Sequence, residues 1–142
     1  MKEAVDRIVQ AFESLSPESV SRLDVIYAPD AGFKDPFNAV RGLPEIQRIF
    51  AHMFISLVQP RFVVTQRMVQ GQQCFLCWEF HFGFKQTRIG QPQCIFGATH
   101  LTLDANGRIV MHRDYWDAAE ELYEKLPWVG ALMRWLKKRA SG

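Results

Sequence analysis

Asp104-Ala105-Asn106-Gly107-Arg108-Ile109-Val110-Met111-His112-Arg113-Asp114-Tyr115-Trp116-Asp117 joins a turn signal to a strand signal. Its first four residues carry hairpin-turn chemistry, because Asn and Gly tolerate the positive φ of tight turns and Asp accepts from nearby amides. Residues 108–116 then read as an apolar β-strand. Side chains alternate along a strand. His112, Asp114 and Trp116 therefore share one face, and Arg113, Tyr115 and Asp117 share the other. With the first face turned inward, an imidazole, a carboxylate and an indole line a cavity. Charged groups are seldom buried without a partner or a purpose, so a small-molecule pocket is the first functional expectation.

Upstream of this strand, three more strand-like segments are expected. They span 61–69, 74–84 and 93–103, with Gln70-Gly71-Gln72 turning the chain after the first and a loop holding Gly90 and Pro92 before the last. In the middle segment Leu76, Trp78, Phe80, Phe82 and Phe84 alternate with Cys77, Glu79 and His81, which marks one heavily apolar face. The N-terminal third reads as helical. Val5, Ile8, Val9, Phe12 and Leu15 recur at helical spacing over 2–15. Ser16-Pro17 opens a second helix carrying Val20, Leu23 and Ile26 and ending near Tyr27. Ala28-Pro29-Asp30-Ala31-Gly32 reads as a turn and 33–35 as a short strand closed by Pro36. A third helix starts near Leu43-Pro44-Glu45, buries Ile46, Ile49, Phe50, Met53, Phe54 and Leu57, and is broken by Gln59-Pro60. Beyond the last strand, 118–125 and a segment from Pro127 with Val129, Leu132, Met133 and Leu136 are expected to be helical.

Helices first and then an antiparallel meander indicate α+β. Helices laid on one side of a curved antiparallel sheet enclose a conical cavity, which is a natural ligand site. Residues 1–142 are expected to form one domain of ordinary size. Trp116, Phe54, Trp78, Phe80, Phe82, Thr99 and Phe12 are the expected ligand-contacting residues. The amphipathic C-terminal helix is expected to cover the mouth of the cone.

Composition narrows the classes further. A net charge of +2, with one basic cluster at Arg134, Lys137, Lys138 and Arg139, is too small a footprint for nucleic-acid binding. The N-terminus lacks the apolar core of a signal peptide, and no apolar run nears the ~20 residues of a membrane helix, so a cytoplasmic protein without a membrane span is expected. The three Cys are an odd count, and Cys74 and Cys77 of the C-x-x-C pair fall on opposite strand faces. With Cys94 they read as small apolar strand residues. No metal cluster, phosphate loop or nucleophile elbow is visible, so the expected chemistry uses no metal and no cofactor.

Two stretches together carry a family resemblance: Tyr27-Ala28-Pro29-Asp30-Ala31-Gly32-Phe33-Lys34-Asp35-Pro36, followed by Gly42 and the helix through Phe54, and the Asp104–Asp117 stretch. The chain resembles the nuclear transport factor 2-like superfamily over nearly its whole length. That superfamily includes ketosteroid isomerases and SnoaL-like polyketide cyclases, and it adopts a cystatin-like cone-shaped roll. In ketosteroid isomerases an Asp directly before Pro is the general base, and a second, protonated carboxyl and a Tyr hydroxyl form the oxyanion hole. The resemblance puts the base at Asp35. It puts the second carboxyl at Thr99 and the Tyr near Ala11 or Phe12, where this chain departs from the pattern, and it finds His112 and Asp114 where those isomerases show apolar lining. Polar groups placed elsewhere resemble the SnoaL-like branch.

The implied catalytic set is therefore Asp35, Asp114 and His112. Asp35 abstracts a proton next to a carbonyl of a small hydrophobic molecule, and His112 and Asp114 stabilise or reprotonate the enolate. Two alternatives stand beside this isomerase or cyclase reading. One is a non-catalytic dimeric ligand-binding or protein-interaction module. The other is water addition as in the limonene epoxide hydrolase branch, which uses an Asp–Arg–Asp set. The resemblance also implies a homodimer packed on the sheet face that carries Glu79, His81 and His100.

Overall fold

Val5, Ile8, Val9 and Phe12 are all buried along helix α1 (Lys2–Glu13), as their spacing requires. The computed structural model describes residues 1–85, 92–118 and 139. The helices expected over 118–125 and from Pro127, with their basic cluster, lie almost wholly outside the described residues, as does the loop at Gly90. Ser14 ends α1 just before the expected Leu15, its amide and its hydroxyl both donating to the Gln10 carbonyl at 3.0 and 2.7 Å.

The expected second α-helix is instead a 3-10 helix (Ser19–Val25). Ser16 and Ser19 cap each other reciprocally at its start, amide to hydroxyl, at 2.9 and 3.1 Å. Val20 and Leu23 point inward. The helix ends two residues before the expected Tyr27 because Tyr27 already belongs to a strand, β1 (Tyr27–Lys34). The stretch read as a turn, Ala28 to Gly32, is thus inside β1. It pairs in parallel with the last strand, β6 (Ile109–Tyr115), as Tyr27↔Ile109 and then Gly32↔Met111. The bulge between those partners absorbs Pro29, which has no amide to give a ladder. The expected turn is therefore not there: long-range pairing with β6 makes the segment a bulged strand.

Asp35 falls just beyond β1, in the connection to the short β2 (Ala39–Arg41), and not inside a strand. Helix α2 (Leu43–Ser56) follows, with Pro44 in its first turn and Ile46 and Phe50 buried. Strand β3 (Leu57–Gln70) begins four residues before the expected Arg61. Gln59, at φ 46°, and Pro60 disturb the ladder between Val58 and Arg61 without ending the strand. β3 is an edge strand, where a missing amide is tolerated.

Strands β4 (Gln73–Phe84), β5 (Gln93–Leu103) and β6 complete the expected antiparallel meander. The sheet order is β2-β1-β6-β5-β4-β3. Helices pack on one face of this curved sheet, and the core lies between. The Asp104 carboxylate caps the hairpin by accepting from the amides of Asn106 and Arg108 at 2.9 and 3.0 Å. Gly107 takes φ 81°, and a Cβ there would stand 2.6 Å from Ala4 Cβ, so glycine lets the hairpin dock against α1. Among the described residues, no helix is long and apolar enough to cross a membrane.

Candidate functional site

β6 delivers His112 and Asp114 to the inner face, as alternation requires: His112 is buried, Asp114 and Trp116 half-buried, and Arg113 and Tyr115 exposed. Opposite them, β5 contributes Thr99, which pairs with Asp114 in register, and β4 contributes Trp78. A chain of hydrogen bonds joins these groups. The Trp78 indole donates to the Thr99 hydroxyl at 2.7 Å, and that hydroxyl donates to Asp114 Oδ1 at 2.6 Å. His112 Nε2 lies 2.7 Å from the same Oδ1, and His112 Nδ1 lies 2.6 Å from the Tyr27 hydroxyl.

One proton arrangement satisfies every member. In it Tyr27 donates to His112 Nδ1, and His112 Nε2–H donates to Asp114 Oδ1. Burial, and secondarily the charge of Asp114, hold the Tyr27 hydroxyl well above its ordinary pKa. Tyr27 therefore stays a donor and fixes the imidazole tautomer. Phe33, Phe12 and Tyr27 surround that ring, at centroid distances of 4.5, 5.7 and 6.0 Å. Both bonds to Asp114 reach Oδ1, and among the described residues Oδ2 accepts none.

Asp35 is held differently. Its Oδ1 accepts from the amides of Phe37 and Asn38, at 2.8 and 2.6 Å, and from the Asn38 side-chain amide at 3.1 Å. Among the described residues Oδ2 receives only that same Asn38 side chain, at 3.1 Å. These bonds lower the pKa, but burial raises it more, and Asp114 raises it further; the net shift is upward. The two carboxyl groups sense each other across a shared space.

That space is a cavity of about 240 Å³ between α2 and the sheet. Ile49, Phe50 and Met53 form one wall, and Trp78, Phe80, Phe82 and Trp116 form much of the other. Asp35 and Asp114 are the only ionisable groups on this lining among the described residues. A smaller chamber of about 30 Å³, lined by Phe12, Thr99 and His112 and touching Asp114, continues inward. Asp35, Asp114 and Trp116 also border a larger open groove with Lys34 and Arg113. The inner cavity is the better ligand site, because its lining is largely apolar and shaped by rigid elements.

The structure thus brings Asp35, Asp114, Trp116, Trp78, Phe80 and Phe82 to one cavity, and His112, Thr99 and Phe12 to its inner end. Phe54 packs against the core but is not on the cavity wall. Sequence reasoning missed Tyr27, assigned to a helix end, and Phe62, which lines both chambers from β3. Phe62 was findable, since Phe62 and Val64 alternate along their strand. Tyr27 was not, since its partner lies 85 residues away.

On the other face of the sheet, the structure gathers a group that the sequence did not pair. Glu79 Oε1 lies 2.9 Å from His81 Nε2, and Cys94 Sγ lies 3.9 Å from the same nitrogen. Cys94, read as an apolar strand residue, is half-buried.

Several solved structures share this fold. A Catenulispora acidiphila DSM 44928 protein with a ketosteroid isomerase-like fold, crystallised with trimethylamine, superposes with a TM-score of 0.70 at 18% identity, over 84% of this chain and 89% of that one. An NTF2-like protein of unknown function from Burkholderia pseudomallei K96243 gives 0.72 at 16% identity, over 84% and 95%. An LEH-like epoxide hydrolase from M. tuberculosis gives 0.68 at 16% identity, over 93% of each chain. At these identities the likeness establishes the fold and not the activity. No curated protein matches this chain significantly. The SnoaL-like domain model matches residues 5–112, and on that match, together with the NTF2-like architecture, the chain belongs to the SnoaL-like domain family.

Proposed function

We propose that the cavity binds a small, largely apolar carbonyl compound and that Asp114 and Asp35 move a proton on it, giving isomerisation or ring closure. The observation that carries this reading is the pair of carboxyl groups on an otherwise apolar and aromatic wall, each held by a different hydrogen-bond pattern. Both bonds to Asp114 engage Oδ1, which leaves Oδ2 open toward the cavity to act as base. Burial and the neighbouring charge favour the protonated form of Asp35. In that form Oδ1 keeps accepting the two backbone amides, and the Oδ2 hydroxyl is available to donate.

Family resemblance suggests Asp35 as the base; the burial that raises the Asp35 pKa and the open Oδ2 of Asp114 favour the converse division of labour. Asp114 removes the proton next to the carbonyl, and the C–H electron pair becomes the enol double bond. Asp35 gives its proton to the carbonyl oxygen. Return of the proton to another carbon isomerises the substrate, whereas attack of the enol carbon on a second carbonyl closes a ring. His112 is a positioning residue, because it holds Asp114 from behind and is itself held by Tyr27.

The test is proton exchange. Incubated in D2O with a panel of small enolisable ketones and enones, the wild-type protein is expected to deuterate the α-position of at least one, followed by NMR. Asp114→Asn is expected to slow this by roughly 10²–10⁴-fold. Exchange no faster than with the Asp35→Asn/Asp114→Asn double variant, for every compound, would defeat the catalytic reading. Saturable binding without exchange would leave the non-catalytic ligand-binding alternative. The epoxide alternative is disfavoured by the arginines. Arg67 pairs with Asp6 at 2.5 Å on the surface, Arg113 lies over the Tyr115 ring, and no Arg among the described residues lines the inner cavity. A homodimer through the outer sheet face belongs to the same proposal, supported by the exposed Met68, Phe75, Phe96 and Tyr115.

A further inference from the structure

We propose that Glu79, His81 and Cys94 form a binding site for one soft divalent cation, best matched by zinc, on the outer face of the sheet. The strand register builds the group. His81 and Cys94 are direct partners across β4 and β5, and Glu79 lies two residues from His81 on the same face. Both strands have a neighbour on each side, so the backbone beneath the three side chains is fixed.

The donor set selects the ion. A thiolate, an imidazole nitrogen and a carboxylate oxygen together suit zinc, whereas magnesium and calcium take oxygen. The three ligand atoms lie within 4.8 Å of one another. Around a tetrahedral zinc, with bonds of roughly 2.0–2.3 Å, nitrogen and oxygen would stand roughly 3.4 Å apart and nitrogen and sulfur roughly 3.6 Å. The present separations are 2.9 and 3.9 Å. The Glu79–His81 contact opens by about half an ångström, the His81–Cys94 contact closes by less, and the Glu79–Cys94 separation closes from within 4.8 Å, movements assigned to side-chain torsions.

His81 Nε2 is the atom nearest to both other donors, so it is the ligating nitrogen. In the single chain His81 and Glu79 side chains keep 28% and 33% exposure, which leaves a fourth position for water or, in the proposed homodimer, for a group of the second copy. Arg61, the register partner of His81 on edge strand β3, is the nearest cation of the ladder. It is exposed and free to swing toward solvent. The ordinary alternative, a Glu79–His81 ion pair, is worth at most about 1 kcal/mol at such exposure. Zinc binding would displace the thiol proton, so affinity is expected to rise with pH.

The experiment uses the full chain, reduced and stripped of metal. Zinc titration by calorimetry is expected to give one ion per chain, and cobalt(II) is expected to produce a thiolate-to-cobalt charge-transfer band. Cys94→Ser should abolish that band and weaken zinc at least tenfold. His81→Gln should weaken zinc at least tenfold with the band's thiolate character retained, and Cys77→Ser and Asp114→Asn should change neither. Absence of saturable one-per-chain binding, or a charge-transfer band that survives Cys94→Ser, would overturn the site. Because Asp114 lies on the opposite face, failure here leaves the cavity reading untouched, and failure there leaves this one.

Discussion

Two His–carboxylate pairs with the same spacing stand on opposite faces of one sheet. His112 and Asp114 on β6 face inward, with side chains 5% and 17% exposed and 2.7 Å between them. His81 and Glu79 on β4 face outward, 28% and 33% exposed, at 2.9 Å. In sequence the two look alike. Inward, the pair is extended at both ends, by Tyr27 behind the imidazole and by Thr99 and Trp78 behind the carboxylate. Burial demands those partners, because a desolvated polar group without one costs about 1–3 kcal/mol. Outward, water supplies whatever bonds are lacking, and the neighbour that matters is a thiol. The same i, i+2 spacing becomes a buried hydrogen-bonded network on one face and a half-exposed pair beside a thiol on the other.

Activity should separate the faces most widely. Asp114→Asn is expected to slow α-proton exchange by roughly 10²–10⁴-fold, while Glu79→Gln leaves it unchanged; equal losses from both would erase the distinction. Stability should follow the same order. His112→Ala removes a buried ring and orphans the Tyr27 hydroxyl, for a loss of about 3 kcal/mol by urea unfolding. His81→Ala should cost less than about 1 kcal/mol. Gly97→Ala probes the support of the inner network. A Cβ there would overlap the Trp78 indole, so the ring must move and its bond to Thr99 must stretch. A loss of about 1–3 kcal/mol is expected, with a change in tryptophan fluorescence.

The smallest effect concerns pH. Burial raises the Asp35 pKa above its ordinary value of 3.8. The folded state therefore holds this proton more tightly than the unfolded chain. Asp35 favours folding fully below that ordinary value, and the contribution is lost as pH rises through the raised, folded-state pKa. Asp35→Asn should accordingly gain thermal stability relative to wild type as pH rises through this window. A difference in melting temperature that stays flat with pH would show that Asp35 is not shifted.

Much of the fold was legible because its signals are local. Alternation placed Leu76, Trp78, Phe80 and Phe82 on one face, and Asn106-Gly107 marked the hairpin, since both depend on neighbours in the chain. The β1 bulge was not legible. Pro29 and Gly32 speak for a turn, and only the parallel pairing with β6 makes the segment a strand. For the same reason His112 and Asp114 were found together, two residues apart on one strand, while Tyr27 was missed. Asp35 was found by resemblance, and its hydrogen bonds to Phe37 and Asn38 were foreseeable only as local turn chemistry.

Periodicity and turn chemistry act within a few residues, so the chain alone reveals which side chains share a face, where the meander turns, and that helices precede an antiparallel meander. That Tyr27 meets His112, that Asp35 faces Asp114 across an apolar cavity, and that Cys94 sits opposite His81 follow from folding alone. Those contacts depend on strand register and on helix packing across many tens of residues. Register is set by the burial of whole faces rather than by any local signal.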